Sequence, residues 1–552
     1  MSAFPGRAAA AAHSRIAARL TLPEKIAIAI LLLVMLAFGA MVVLRSAYQQ
    51  QRKTDFDVFA RAAWAVRADE DIYQTFSERG WNYIYPSLFA ITLTPLADPP
   101  TPRTFINIAD ARAGAATDIA VRAGHYPDPA DLTLDRARAM AEAQRLFGAG
   151  KLGTGSAPPS GYLPFGVSCA IWYLISLASA LLSAHLIARA IELSDPILST
   201  RPRPALHERA WWMLRLLPLL ICAPAVFNGM SRGQTDALVL LCISAFILLW
   251  IRRRSARAGT LLSLAAAIKV IPAFLLLAPL WRRDLRTLIG FALGSALFII
   301  IIPTLVFGPV RMWEYNLHFL ASTAGPGLGL PAADTSRKFE LYGLAGTDSQ
   351  SLLAVLHNTL NLTTPRGVRP DDAHPIVRIA TLTLSAILVI LTLWAARWKA
   401  CRFQSLQSLF SALQSLLSSL RSPQSKIQNP KSRIDPTLLP LSALLLIVML
   451  AVSPVTHTHY FAFALPLVAW LIALRIRTRP AQTLTGAEWL IAGAYLLAHA
   501  LPRIGAFTIL QDAGLMLWST LALWALGVIL LRRETAAPPL LHEQPSLSTS
   551  AT

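Results

Sequence analysis

Apolar runs of about twenty residues recur along this chain from Lys25 to Leu531, separated by short stretches rich in Lys and Arg. This feature narrows the possible folds more than any other. Inside a bilayer no water satisfies backbone N–H and C=O groups, so each run must close its hydrogen bonds within itself as a helix. The 14% charged fraction fits the same reading, since a soluble domain carries about 25%. The expected fold class is an all-α polytopic membrane protein with about eleven or twelve transmembrane segments and two large extracytoplasmic loops.

The formal net charge is +20. The basic residues sit mainly in short loops between apolar runs, the positive-inside signature. Placement therefore accounts for the charge without nucleic acid, and contact with anionic lipid headgroups is its plain consequence. The four cysteines, Cys169, Cys222, Cys242 and Cys401, show neither metal nor redox spacing and read as small core-filling residues. The first apolar run, Lys25 to Leu44, is longer than the apolar core of a cleaved signal and is taken as a retained helix.

Threading the runs through a membrane gives a consistent topology. Residues 1–24, with Arg7, Arg15, Arg19 and Lys25 at the boundary, form a cytoplasmic tail, and 25–533 form the membrane domain. Residues 46–161 are a first outer loop, 308–375 a second, and the Ser-, Gln- and basic-rich 399–435 a flexible cytoplasmic insertion. The tail 534–552 reads as disordered. Helices are expected near Leu163–Ile191, Trp211–Phe227, Thr235–Ile251, Leu285–Phe307, Ile376–Arg397, Pro436–Val452 and Tyr460–Leu474, then two more. The stretch from Ala258 to Leu280 is basic at both ends and holds Lys269 and Pro272. That pattern predicts a hairpin of two half-helices, since broken backbone at membrane depth is tolerated only against protein or a wet cavity.

The polar residues that punctuate this pattern fall on the outer side. Asp55 and Asp57 stand just past the first helix, in Lys53-Thr54-Asp55-Phe56-Asp57-Val58-Phe59, where a partly dry carboxylate can be tuned as a base. A solvated acidic turn is the competing reading. The stretch Tyr83 to Phe89, with Tyr85, is too broken to span and suits an interfacial amphipathic helix or packing on the bundle. Asn228 to Asp236 makes a tight outer turn in which Arg232 is a natural phosphate ligand and Asp236 a helix cap. Lys269 is a cation inside an apolar segment, expensive unless used or snorkelling. Ser349-Gln350-Ser351-Leu352 lies in the second outer loop near Arg337, Lys338 and Glu340. His457 and His459 are two apart with no acidic neighbour in sequence, a poor zinc pattern but a suitable pair of hydrogen-bond donors. No nucleotide-binding or metalloprotease motif is present, so any chemistry must come from the outer loops and helix ends.

In their order these segments resemble glycosyltransferase family 87, which includes polyprenyl-phosphate-mannose-dependent mannosyltransferases of the GT-C superfamily. The carrying stretches are Asp55-Phe56-Asp57-Val58-Phe59-Ala60-Arg61-Ala62-Ala63 with Asp71-Ile72-Tyr73, then Tyr85-Pro86-Ser87-Leu88 with Pro95-Leu96-Ala97, and Arg232-Gly233-Gln234-Thr235-Asp236. Gly259 to Pro272, Ser349-Gln350-Ser351-Leu352, and Ser453-Pro454 with His457 and His459 complete the set. The resemblance covers roughly Asp55 to Leu96 and Leu163 to Trp470. The insertion Arg103 to Pro159, the serine at position 349 and the cytoplasmic insertion depart from the family pattern.

The resemblance implies a GT-C bundle that moves a hexose, mannose first, from a polyprenyl-phosphate sugar to a lipid or glycan hydroxyl on the extracytoplasmic face of the inner membrane. Inversion is expected, without metal, nucleotide or other cofactor. It points to Asp55 as base, with Asp57 its rival. Arg232, Lys269, His457 and His459 become donor-phosphate ligands, and Tyr85, Gln234, Asp236 and Gln350 become substrate contacts. The rival class is a multi-pass transporter or flippase of lipid-linked or anionic substrates. It would share the broken segment and buried cation, but is expected to carry internal repeats, and none is visible in this sequence.

Overall fold

The computed structural model describes residues 22–49, 52, 54–78, 81–101, 104, 129–151, 161–195, 206–327, 344, 349–370, 372–396, 435–478 and 485–536. Arg7, Arg15, Arg19, Lys53, Arg337, Lys338, Glu340 and Cys401, most of the 103–159 insertion, the 399–434 insertion and the tail beyond Ala536 lie outside the described residues. Among the described residues the chain is helical apart from turns and one isolated bridge, Phe76 to Asn82.

The helices are α1 Leu22–Ala47, α2 Phe56–Ala68, α3 Ser87–Thr92, α4 Pro129–Gly148, α5 Phe165–Ser194, α6 Leu206–Ile221 and α7 Ala223–Arg232. They continue with α8 Asp236–Ile251, α9 Ser255–Ile268, α10 Ile271–Trp281, α11 Leu285–Phe307 and α12 Pro309–Phe319. The rest are α13 Leu352–Leu360, α14 Pro375–Ala395, α15 Leu438–Val452, α16 Thr458–Thr478, α17 Gly486–Ala500, α18 Thr508–Asp512 and α19 Leu515–Ala536. Six of them are long and apolar enough to cross a membrane by themselves. The pair α6–α7 passes together but bends by 64°, and α8, α9, α10 and α15 are apolar yet short. The all-α polytopic class therefore stands, with several of the expected spans broken or shortened.

The short helices are the central ones. Every residue of α15 from Leu439 to Ala451 is buried, and α8 buries most of its length. At about 1.5 Å per residue each is about 23 Å long, less than the roughly 30 Å hydrocarbon core. Long, lipid-exposed helices such as α1, α11 and α14 stand outside them.

The chain from α8 to α11 shows how the interior is built. Asp284 accepts from Trp250 Nε1 at 2.8 Å, from Ser255 Oγ at 2.8 Å and from Thr287 Oγ1 at 2.7 Å. One carboxylate thus ties the end of α8, the start of α9 and the start of α11 together. Between those points α9 runs out to Lys269, where extended backbone breaks the helix, and α10 returns. The hairpin expected from its two basic flanks is what forms. It packs tightly because Gly259 and Gly290 let α9 and α11 approach backbone to backbone. A Cβ on Gly259 would lie 2.0 Å from the Thr287 carbonyl, and one on Gly290 would lie 2.1 Å from that of Ala256.

Asp284 marks one end of the bundle, where Arg252, Arg253, Arg254, Arg282 and Arg283 gather in the turns and Arg282 pairs with Asp435. The opposite end carries α2, α3, the α7–α8 turn, the Lys269 tip and the start of α16.

At that opposite end the structure corrects one local expectation and adds detail at three other places. Asn228 to Arg232 is not a loop but α7, restarted after Cys222 by Pro224 in its first turn; only Gly233 to Thr235 form the tight turn. Of the two readings of Tyr83 to Phe89, packing on the bundle is the one seen: Tyr83 and Phe89 are fully buried, and the Tyr83 hydroxyl donates to Pro86 O and accepts from Ala90 N. The second outer loop opens with α12 and later carries α13. The 103–159 insertion contributes α4, whose following turn presents Lys151 to Glu70 at 2.6 Å.

Candidate active site

The first carboxylates past α1 have different fates. Asp57 faces into α2's packing, where it accepts from Arg52 at 2.8 Å, from the Glu78 backbone N–H at 2.8 Å and from Arg61, one turn on, at 3.5 Å. Asp98 closes the network, 2.5 Å from Arg52 and 3.2 Å from Arg61. Burial opposes charge on Asp57, but the Arg52 and Arg61 guanidinium groups beside it win and hold its carboxyl below the ordinary range. The Arg52 guanidinium, buried but flanked by Asp98 and Asp57, is held above its own. The hydrogen bonds that Asp57 accepts thus all go to holding the outer loop together.

Asp55 points elsewhere. It sits at the N-terminus of α2, and its backbone N–H donates to the Arg232 carbonyl at 2.7 Å. Thr54 Oγ1 donates to the same carbonyl at 3.2 Å. These bonds clasp the start of α2 against the α7–α8 turn. Gly233 makes the clasp possible: its φ is +71°, and a Cβ there would meet Thr54 Oγ1 at 2.5 Å and Phe56 Cβ at 2.8 Å. Trp172 of α5 donates to the Gly233 carbonyl at 2.9 Å and stacks on Phe56. The Asp55 carboxylate consequently receives a short hydrogen bond from the Gln234 side-chain amide, and Gln234 accepts from the Tyr85 hydroxyl at 3.3 Å. Burial pushes the Tyr85 phenol up, so it stays a neutral donor at ordinary pH.

A second polar layer lies directly behind. Asp236, in the first turn of α8, accepts from Lys269 Nζ at 2.9 Å. Its role is therefore an ion pair, while Thr235 occupies the cap position. Lys269 also lies over the Tyr460 ring, 3.8 Å from its centroid, a cation–π contact that together with Asp236 holds the buried ammonium. His459 Nε2 is 3.6 Å from the other Asp236 oxygen, and the His457 ring stacks on that of His459. Among the described residues neither nitrogen of His459 nor that Asp236 oxygen has a hydrogen-bond partner, although both side chains are buried. Such groups are costly unless something polar meets them. A narrow cleft of about 10 Å³, room for about one water molecule, lined by Gly229, Gln234, Asp236 and His459 among small apolar residues, opens onto them.

Gln350 stands one layer back. Its backbone N–H donates to the Thr456 carbonyl at 2.6 Å, its side-chain amide to the Gln511 carbonyl at 2.8 Å, and Ser351 Oγ to the Pro454 carbonyl at 3.0 Å. These bonds fix the segment that carries His457 and His459. Thus Asp55, Tyr85, Arg232, Gln234, Asp236, Lys269, His457 and His459 converge from five separate chain segments, Gln350 braces them, and Asp57 is spent elsewhere. Tyr460 is the residue that sequence reading missed. Its position next to the histidine pair was the available signal, but only the fold shows an ammonium on its face. Among the described residues no three His, Cys, Asp or Glu gather as a metal site.

Neither curated proteins nor solved structures gave a match to the chain. Residues 156–423 match the model of Glycosyltransferase family 87, a stretch that holds Arg232, Gln234, Asp236, Lys269 and Gln350, while Asp55, Tyr85 and the histidine pair flank it. That match, over just under half of the chain, together with the helical membrane bundle, supports glycosyltransferase family 87 and a membrane glycosyltransferase.

Proposed function

We propose that this enzyme transfers a hexose, mannose first, from a polyprenyl-phosphate sugar to a hydroxyl of a lipid or glycan acceptor, with inversion, on the extracytoplasmic face of the plasma membrane. The N-terminus is then cytoplasmic, and the basic turns around Asp284 face the cytoplasm. The observation that carries the reading is a single cluster in which one carboxylate, Asp55, is held by Gln234 while the buried Lys269 ammonium is held by Asp236 two residues on.

Asp55 takes the proton of the acceptor hydroxyl, whose oxygen attacks the anomeric carbon. The bond from that carbon to the phosphate oxygen breaks, and its electron pair leaves on polyprenyl phosphate. A phosphate leaving group needs neutralised charge rather than a proton, which Lys269 and Arg232 supply, with His457 and His459 as hydrogen-bond donors to the phosphate. Gln234 orients the Asp55 carboxylate and, with Tyr85 and Asp236, meets sugar hydroxyls; Gln350 acts through the His457 segment. The shortness of α8 and α15 supports a lipid-linked donor, because polar groups at the end of a helix shorter than the hydrocarbon core are within reach of a phosphate anchored in the leaflet.

The test incubates purified wild type, Asp55→Asn and Asp57→Asn with polyprenyl-phosphate-mannose and a membrane lipid extract, and follows release of polyprenyl phosphate. Release by wild type and its loss in Asp55→Asn, with donor binding retained, is the expected result. A folded Asp57→Asn variant that alone loses release would move the base to Asp57. No release by wild type from mannose, glucose or galactose donors would remove the proposal in favour of a transporter or flippase.

A further inference from the structure

The segment joining α17 to α18 takes no part in the cluster described above. Two tight turns, Leu501–Arg503 and Gly505–Phe507, carry it across the site end. Pro502 is buried beneath it, whereas Arg503 is exposed and so are three large apolar side chains, Ile504 at 52%, Phe507 at 41% and Ile509 at 58%. A cation bordered by uncovered apolar groups is matched by an amphiphile with an anionic head.

Its location makes that match specific. The last turn of α17 sets the His499 ring 4.9 Å from Phe461, the residue after Tyr460. The segment therefore begins beside the histidine pair, near enough for the Arg503 charge to reach both His499 and His459, and at His459 it joins those of Lys269 and Arg232. Its far end is anchored. Asp512 binds Arg366 at 2.6 Å and Arg369 at 2.9 Å, and the Gln511 carbonyl takes the Gln350 amide. The turns are thus held at both ends, with their apolar middle uncovered among the described residues.

We propose that the Arg503 turn receives the lipid end of the donor: Arg503 meets its phosphate, and Ile504 and Phe507 meet the isoprenoid units next to that phosphate. This rests on the donor reading above and adds where the chain of that donor lies. The same chemistry, a phosphate on an apolar chain, is also that of bulk anionic phospholipid, and the experiment separates the two.

Full-length enzyme is assayed with long-chain polyprenyl-phosphate-mannose and with a water-soluble short-chain analogue. For Arg503→Gln the expected result is a rise in KM of about tenfold for both donors with kcat within about twofold, most of it recovered in Arg503→Lys. For the double variant Ile504→Ser, Phe507→Ser, KM rises about tenfold for the long donor and stays near wild type for the short one. Unchanged KM in all variants, with wild type active, overturns the inference and leaves the turn facing bulk lipid. An equal loss with both donors in the apolar double variant overturns it as well, since that is what a merely structural turn predicts. Failure of wild type on both donors would instead strike the donor reading itself.

Discussion

Replacing Lys269 with Met gives the sharpest physical test of the polar layer behind Asp55. Lys269 and Asp236 are 6% and 2% exposed and 2.9 Å apart. Met keeps the length and volume of the side chain and its apolar stem, so packing changes little. What changes is that Asp236 loses its one side-chain hydrogen-bond donor among the described residues, while its second oxygen already has none there. Leaving one charge of a buried pair behind costs about 3–5 kcal/mol, and the lost ring contact with Tyr460 adds about 1 kcal/mol. Against a typical total of about 5–15 kcal/mol this is a large fraction. Removing both charges, in Lys269→Met with Asp236→Leu, should return most of it, because a buried pair and its apolar replacement are often near parity. Thermal unfolding in detergent with a thiol-reactive fluorophore reads this directly: Cys169, Cys222 and Cys242 are buried free thiols that react only as the bundle opens. The expected order of stability is wild type, then the double variant close behind, then the single variant many degrees lower. A single variant as stable as wild type, or a double variant no better than the single, would refute the reasoning, whatever either does to activity.

Two further outcomes follow from the outer loop. Because the folded Asp57 carboxyl is held below its ordinary value of 3.8, its contribution to stability is complete above that value and is lost as pH falls through the lower, folded one. Asp57→Asn should therefore destabilise by about 3 kcal/mol at neutral pH and by progressively less below about pH 4, seen as converging unfolding temperatures of variant and wild type; a difference independent of pH would contradict this. Gly233→Ala is expected to disturb the clasp between α2 and α7, since the new Cβ meets Thr54 Oγ1 at 2.5 Å at a φ of +71°. The cost is about 1–2 kcal/mol of strain and a fall in turnover of at least about tenfold through displaced Asp55, measured by polyprenyl phosphate release. A Gly233→Ala enzyme with wild-type turnover would show that the clasp does not set the site.

Much of this was legible because membrane helices announce themselves. The apolar runs gave α5, α8, α14 and α15 within a few residues, and the paired basic flanks of 258–280 gave the hairpin, since charge placement is read one loop at a time. What escaped depended on contacts between distant segments. Asn228 to Arg232 looks like a loop because it is polar, yet it forms α7, since helix propensity there is overridden by packing against the start of α16. Asp55 and Asp57 are indistinguishable in a seven-residue motif. Only the convergence of Arg52, Arg61 and Asp98 on one, and of Gln234 on the other, separates them. Tyr460 acquires meaning from Lys269, and Arg503 from His459, each far away in sequence.

The clasp at Asp284 bears on how the chain is laid into a bilayer. Because α9 and α10 leave and return at the same end, the pair adds no net crossing, and α8 and α11 keep the opposite directions that a simple connecting loop would give them. The Lys269 tip is thus a passenger in the topology: changing its length or sequence moves the ammonium relative to Tyr460 and Asp236 without inverting any helix downstream. The depth of the polar centre and the sidedness of the rest of the protein are in this way uncoupled, and each can be altered while the other is kept.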